Sequence, residues 1–510
     1  MKKIITIACL SSFILFASNT VRHFKEEIPK TWDEEKLYSG QLPLANTSIV
    51  VKPVPEEYYY KIPERVIYKT YPMYLPGREP KGYVESLRSQ EPEIIFDPST
   101  LKTEEDWIKA GETIFDMPTG FIPINSDFIN ALPSIAKNWN KIGTPSTKEG
   151  IIPFLSIVVK EKGAIQLGIL SCSMCHTKVM PDGSLLKGAQ GNYPFDRDLP
   201  IIFSYDPDAN GPNDTVSSFT KEILYSLFAA PWIKEKNQEI WNQPASSYKN
   251  TIIKDLQASI PGVLHRHGTT YGYPVSVPDL FNIRQRKYFD RTGLMLHRDI
   301  GDLMRYASLN QEADFLNDYG GFVPVPRPVH PESGDTITRF SDPQLFALAK
   351  FIYSLKTPQN PAPAAAELIK KGEKIFIQED CVSCHIPPFY SSGKLTPALG
   401  FTPPKDHWGK YDIYDESLGT DPGLALYTRR GTGYYKVPSL IGAWNRTGFL
   451  HSGYLATLED MFDIRRWQND YVPTGYKPAS VKTMAVLGHK YGLDLNEEDK
   501  KALIAFIRSL

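Results

Sequence analysis

Cys172-Ser-Met-Cys175-His176 and Cys381-Val-Ser-Cys384-His385 are one pattern written twice, Cys-x-x-Cys-His, and together they hold every cysteine of the chain except Cys9. Two thiols three apart can add across the two vinyl groups of one porphyrin, and the imidazole that follows then reaches the iron as its proximal ligand. A zinc site built on the four thiolates would leave both trailing histidines without a purpose. A redox dithiol normally occurs once, next to a βαβ pattern that is absent here. The pattern therefore predicts two covalently bound c-type haems, attached through Cys172, Cys175, Cys381 and Cys384, with iron ligands His176 and His385.

Working outward, each motif is framed by the same pair of helical segments. Ile108-Lys-Ala-Gly-Glu-Thr-Ile-Phe115 recurs as Ile369-Lys-Lys-Gly-Glu-Lys-Ile-Phe376, and Ala347-Leu-Ala-Lys-Phe-Ile-Tyr-Ser-Leu355 as Ala502-Leu-Ile-Ala-Phe-Ile-Arg-Ser-Leu510. The opening pair carries apolar stripes at helical spacing, Trp107, Ile108, Ile114 and Phe115 against Leu368, Ile369, Ile375 and Phe376. The order helix, motif, excursion, helix resembles class I cytochrome c domains, whose terminal helices cross over a covalent haem. The expected fold is mainly α: two tandem class I cytochrome c-like haem domains, the first enlarged by long loops and a few short strands.

The expected boundaries are a signal peptide over 1–18, an extended Pro/Tyr-rich arm over 19–100 that wraps the surface, an N-terminal haem domain over 101–356, a Pro/Ala-rich linker over 357–366 and a C-terminal haem domain over 367–510. Phe376 nearly abuts Cys381, whereas the whole stretch 116–171 separates Phe115 from Cys172. Within it, Ile157 to Leu170 has β-branched runs on either side of a Lys-Gly turn and reads as a hairpin delivering the first motif.

The chain has 510 residues, 41% of them hydrophobic, and balances 57 Lys and Arg against 58 Asp and Glu for a formal charge of -1. That balance gives no reason to expect nucleic acid or an anionic membrane as partner. Met1-Lys2-Lys3 and the apolar run Ile4 to Ala17 have the regions of a secretory signal, too short to span a bilayer. Export agrees with haem attachment and points to the periplasm, with no transmembrane span in the mature chain.

The second axial position decides between electron transfer and chemistry: Met or His fills it for transfer, while an open site binds oxygen or peroxide. For the second haem the candidates are His407, His451, His489, Met461 and Met484. His489 leads, because Leu487 to Leu495 is a loop directly before the last helix; His451 and Met484 follow. For the first haem His265, His267, His297 and His330 lack diagnostic spacing to His176. An open distal site is one expectation there, and His297 is a candidate distal or neighbouring group. Arg298, Arg429 and Arg430 are candidates to pair with propionates. Asp206-Pro-Asp208-Ala-Asn210-Gly211 starts like a calcium loop, but its twelfth position is Ser217, which removes the chelating carboxylate.

Cys172 to Gly191 (CSMCHTKVMPDGSLLKGAQG), with Tyr435-Lys-Val-Pro-Ser-Leu440, Leu450-His-Ser-Gly453 and Ala456-Thr-Leu-Glu-Asp460, resembles the di-haem cytochrome c peroxidase superfamily, and within it the rubber-oxygenase-like di-haem cytochromes. The resemblance runs from about residue 100 onward. It implies a low-spin C-terminal haem that relays electrons and an N-terminal haem that meets peroxide or dioxygen. The oxygenase branch ligates its C-terminal haem with two histidines, which supports His385 with a distal His489. The peroxidases place a methionine just before Lys-Val-Pro, but here that stretch reads Gly431-Thr-Gly-Tyr-Tyr435, and Tyr434 is a further candidate ligand because one branch uses tyrosine there.

Two readings follow. One is a periplasmic di-haem redox enzyme, peroxidase- or oxygenase-like, whose N-terminal haem is reactive and whose partners are a small periplasmic electron-transfer protein and oxygen or peroxide. The other is a non-catalytic electron-transfer cytochrome with both haems six-coordinate. The large first domain has room for a substrate cavity, which favours the enzyme.

Overall fold

A computed structural model describes residues 26–124, 142–204, 224–233, 245–265, 272–311, 316–324, 327, 329–330, 332 and 337–510. The signal segment, Cys9, His267 and the acidic loop at 206–217 lie outside the described residues.

Four helices carry the repeat: α1 (Glu104–Asp116), α2 (Asp342–Ser354), α3 (Ala366–Gln378) and α4 (Glu497–Ser509). Local chemistry starts three of them. Thr103 and Asp106 close a capping box before α1, Ser341 and Gln344 do so before α2, and the Asn496 side chain accepts from the Asp499 amide before α4. α1 packs on α2, and α3 on α4, through the same residues of the repeat. A β-carbon on Gly111 would lie 1.9 Å from the Ala347 carbonyl oxygen, and one on Gly372 would lie 1.9 Å from that of Ala502. One turn on, Phe115 meets Phe351 and Phe376 meets Phe506, each pair with ring centroids 5.2 Å apart. The apolar stripes are what close these crossings: Ile114, Phe115, Ile375 and Phe376 are buried, each such side chain contributing roughly 1.5–3 kcal/mol.

The first crossing sits in a core that also takes Trp32, Leu37, Tyr59, Ile62 and Ile67. This corrects the expectation of an extended surface arm. Short helices at Glu34–Gly40, Glu56–Lys61 and Tyr83–Arg88 interrupt that stretch, and Trp32 stacks on Tyr59 at 4.4 Å inside the core. Helices of six or seven residues carry too few apolar repeats to register as a helical period, so proline and tyrosine content dominated the sequence pattern.

The expected hairpin is present and larger than anticipated. β1 (Thr70–Tyr74), β2 (Gly120–Pro123), β3 (Ile151–Glu161) and β4 (Ala164–Ile169) form one antiparallel sheet in the order β1-β3-β4-β2. Val159 opposes Ile165 across the Lys162-Gly163 turn, and β4 runs within three residues of Cys172. Residues from both halves meet at a seam. Lys178 donates to the Asn445 carbonyl, and Gln190 bridges from Gly262 and Ser276 to the Thr447 amide, which it accepts at 2.7 Å.

Candidate haem sites

Cys172–His176 forms a single helical turn directly after the β3-β4 hairpin, with the Ser171 and Ser173 hydroxyls paired at 2.7 Å at its start. The next residues fold back onto it: the Gly188 amide donates to the His176 carbonyl at 2.7 Å and the Gly191 amide to that of Cys175 at 2.8 Å. At Gly191 a β-carbon would stand 2.5 Å from the Cys175 oxygen, so only glycine permits this return. Beside the motif, Asp116 at the end of α1 takes the Lys187 ammonium at 2.6 Å. Burial raises the Asp116 carboxyl above its usual range despite that partner. A cleft of about 250 Å³ opens here, lined among others by Asp116, Ser171, Thr177 and Lys187.

The second motif is a 3-10 turn, Cys381–Ser383, entered through Asp380 in the left-handed region. His385 Nδ1 lies 3.1 Å from the Tyr390 carbonyl. A carbonyl only accepts, so Nδ1 carries the proton and Nε2 keeps its lone pair for a metal, the usual way a backbone group fixes a ligating tautomer. Burial holds the imidazole below its ordinary pKa, which keeps it in the neutral form that ligation needs.

Of the candidates for the far side of that haem, His489 is the one whose charge is coupled to His385. Burial first, then repulsion from His385 and Arg466, lowers it to about 4. Its loop is held firmly. Arg466, fully buried, donates to the carbonyls of Met461 at 3.1 Å, Val486 at 2.5 Å, and Gly488 and His489 at 2.8 Å each. Gly488 and His489 are both left-handed, with φ of 82° and 48°, and the His489 amide donates to the Leu418 carbonyl. A non-glycine residue kept in that region marks a place where surrounding structure over-determines the backbone.

The other candidates are engaged elsewhere. His451 stacks on Tyr435 at 3.9 Å with Asp421 near its Nε2, and Met461 and Met484 pack in the C-terminal core. His407 Nδ1 pairs with the Tyr434 hydroxyl at 2.7 Å, which accounts for Tyr434 as well. In the first half, His297 is bound at both nitrogens, by the Arg286 carbonyl at 2.8 Å and the Tyr353 hydroxyl at 2.6 Å, and is a structural residue. His265 sits 2.7 Å from Asp255, and exposed His330 lies near Glu332.

The arginines expected at propionates are committed to protein groups instead. Arg298 pairs with Asp302 at 2.8 Å. Arg429 donates to the Ser226 and Ala229 carbonyls, and Arg430 to Asn310 and the Leu309 carbonyl. A different set, missed in the sequence because its members are far apart along the chain, assembles at the seam: Arg286, Arg291, Lys436 and Arg446 around Asp279.

The donor chemistry fits a covalent tetrapyrrole at both motifs. Each offers a thiol pair and an imidazole, and the pairs are not joined in disulfides. Burial pushes the Cys172 and Cys381 thiols up to about 12, which keeps both sulfurs uncharged in these surroundings. Among the described residues, no group of three or more His, Cys, Asp or Glu is assembled to hold a bare metal ion, and no helix is long and apolar enough to cross a membrane.

No protein-family model matches the chain, and no curated protein does. Among solved structures it is similar to Kuenenia stuttgartiensis hydrazine synthase, 13% identical over 61% of this chain and 92% of that one, with a TM-score of 0.29. It is also similar to a MauG-like protein associated with microbial copper homeostasis, 15% identical over 59% of this chain and 90% of that one, with a TM-score of 0.29. Likeness at that level carries no argument about fold or activity.

Proposed function

We propose that the chain is an exported di-haem c-type cytochrome, built as two tandem class I cytochrome c-like units, that works as a periplasmic redox enzyme. One observation carries this reading: the same glycine-on-carbonyl helix crossing brackets each Cys-x-x-Cys-His motif, at Gly111 and Ala347 around the first and at Gly372 and Ala502 around the second. Bound at these motifs, haem iron supplies one-electron chemistry and, where an axial position is open, a place for oxygen or peroxide.

The two sites divide the labour. At the second, His385 and His489 would hold the haem iron for electron relay, with the His489 loop fixed by Arg466. At the first, His176 is the proximal ligand. Of the other described histidines of that half, His297 is bound at both nitrogens, exposed His330 lies near Glu332 and His265 sits beside Asp255, an arrangement that supports an open distal position and hence the enzyme over the pure carrier. Partners would be a small electron-transfer protein and oxygen or peroxide.

The test is electron paramagnetic resonance on the oxidised, purified protein together with a haem count. Two haems, one high-spin and one low-spin, are expected, with the low-spin signal lost in His489→Ala. Two low-spin signals that ignore peroxide, carbon monoxide and oxygen would make the protein a carrier.

A further inference from the structure

Among the described residues, the seam between the two halves gathers more cations than carboxylates. Arg286 and Arg446 converge on one carboxylate, Asp279, at 2.6 and 2.8 Å. The Arg291 guanidinium donates to neutral oxygens, the Ser276 carbonyl at 2.8 Å and the Ser276 hydroxyl at 3.1 Å, and the Lys436 ammonium donates to the Tyr288 carbonyl at 3.1 Å. Asp290 is the second carboxylate in range, and it already receives the Tyr306 hydroxyl at 2.9 Å. Arg446 completes its set on the Ser439 and Ile441 carbonyls, yet its Nε is buried and finds no hydrogen-bond partner among the described residues. Among the described residues four half-buried cations thus gather around two carboxylates, where reduced access to water makes unpaired charge costly.

The strain is visible in Lys436, which burial and the neighbouring Arg286 and Arg291 press down to about 7, and in Arg291, which burial lowers to about 10. An anionic group with two carboxylates would balance the charge of the described cluster. The location narrows the choice. Arg446 donates to the Ser439 and Ile441 carbonyls on either side of Leu440, and the Leu440 amide donates to the Tyr390 carbonyl, the same oxygen that faces His385 Nδ1.

We infer that Arg291, Lys436 and Arg446 form a half-buried dicarboxylate site, and that it receives the two propionate groups of the tetrapyrrole attached at Cys381 and Cys384. The inference rests on the di-haem reading and deepens it: the seam, and not the outlying arginines 298, 429 and 430, neutralises the acidic edge of the relay haem. It also ties residues of the first half to the cofactor of the second, because Arg291 belongs to one and Lys436 and Arg446 to the other.

The experiment uses the full-length holoprotein and the variants Arg446→Gln, Lys436→Met and Arg446→Lys, each with a haem count and a spectroscopic redox titration of the low-spin haem. Arg446→Gln and Lys436→Met should retain both covalent haems and shift the midpoint potential downward, since an unpaired propionate favours the ferric state. Arg446→Lys should restore most of that shift. Arg429→Gln, a buried arginine placed on carbonyls elsewhere, should change stability and leave the potential in place. An unmoved potential in both charge-removing variants overturns the inference. A wild-type potential that responds saturably to added succinate, with the response lost in Arg446→Gln, overturns the haem-edge assignment in favour of a site for free carboxylates. A chain with no covalent haem at Cys381 refutes the di-haem reading instead. The cluster is then read by thermal stabilisation with succinate, and loss of that stabilisation in Arg446→Gln supports the dicarboxylate site on its own.

Discussion

Gly372 lies against the carbonyl oxygen of Ala502, where a β-carbon would stand 1.9 Å away. Two helices can approach this closely only where one of them offers no side chain. Gly372→Ala should therefore destabilise the protein by about 1–3 kcal/mol through overpacking, even though alanine favours an isolated helix by roughly 1 kcal/mol. Urea denaturation of the variant checks this, and a midpoint at or above the wild-type value would show that the crossing tolerates a methyl group. Gly111→Ala, against Ala347, should behave alike.

That crossing was legible in the sequence because it is local and repeated: Gly111 and Gly372 sit at the same place in two copies of one apolar stripe, as do Phe351 and Phe506. The hairpin before Cys172 was legible for the same reason, a period of two around a turn. Long-range assembly was not. Arg291 and Arg446 meet across the seam with no periodicity between them, and Arg298, which looked available, is taken by Asp302 four residues on. Trp32 and Tyr59 enter the main core from short helices whose few apolar residues form no pattern.

Arg466 is the prop of the His489 loop, with four backbone carbonyls depending on one buried guanidinium. Arg466→Met leaves those oxygens without a donor and should cost about 3 kcal/mol. It should also convert part of the low-spin signal to high-spin, as the loop relaxes away from the site of His385. Magnetic circular dichroism reads that conversion. Lost stability with an unaltered low-spin spectrum would reduce Arg466 to a core prop.

His297 supplies a dependence on pH. Its Nδ1–H donates to the Arg286 carbonyl and its Nε2 accepts from the Tyr353 hydroxyl, a neutral arrangement, and burial lowers its pKa below the ordinary value near 6.5. Between the lowered folded value and 6.5 the unfolded chain binds the proton and the folded chain does not, so stability rises with pH in that window. Below 6.5 this residue should contribute a loss of up to about 1.4 kcal/mol per pH unit, ending once the folded pKa is passed. Urea midpoints from pH 8 to 5 should fall less steeply for His297→Asn than for the wild type. Parallel profiles would mean that the histidine protonates freely in place.

Tyr476 of the C-terminal half donates to Asp255 of the first, 3.0 and 3.1 Å from its two oxygens, and Asp255 lies 2.7 Å from His265. All three side chains are buried, so the carboxylate depends on these contacts for its solvation. Tyr476→Phe removes a hydrogen bond to a charged acceptor and should cost about 1.5–3 kcal/mol. If the cluster ties the halves together, the double variant Asp255→Asn/Tyr476→Phe should cost less than the sum of the singles, with a coupling of at least about 1 kcal/mol. Additive costs in denaturant unfolding would mean that Asp255 finds other donors. The seam would then be held by Gln190 and the Asp279 ion pairs.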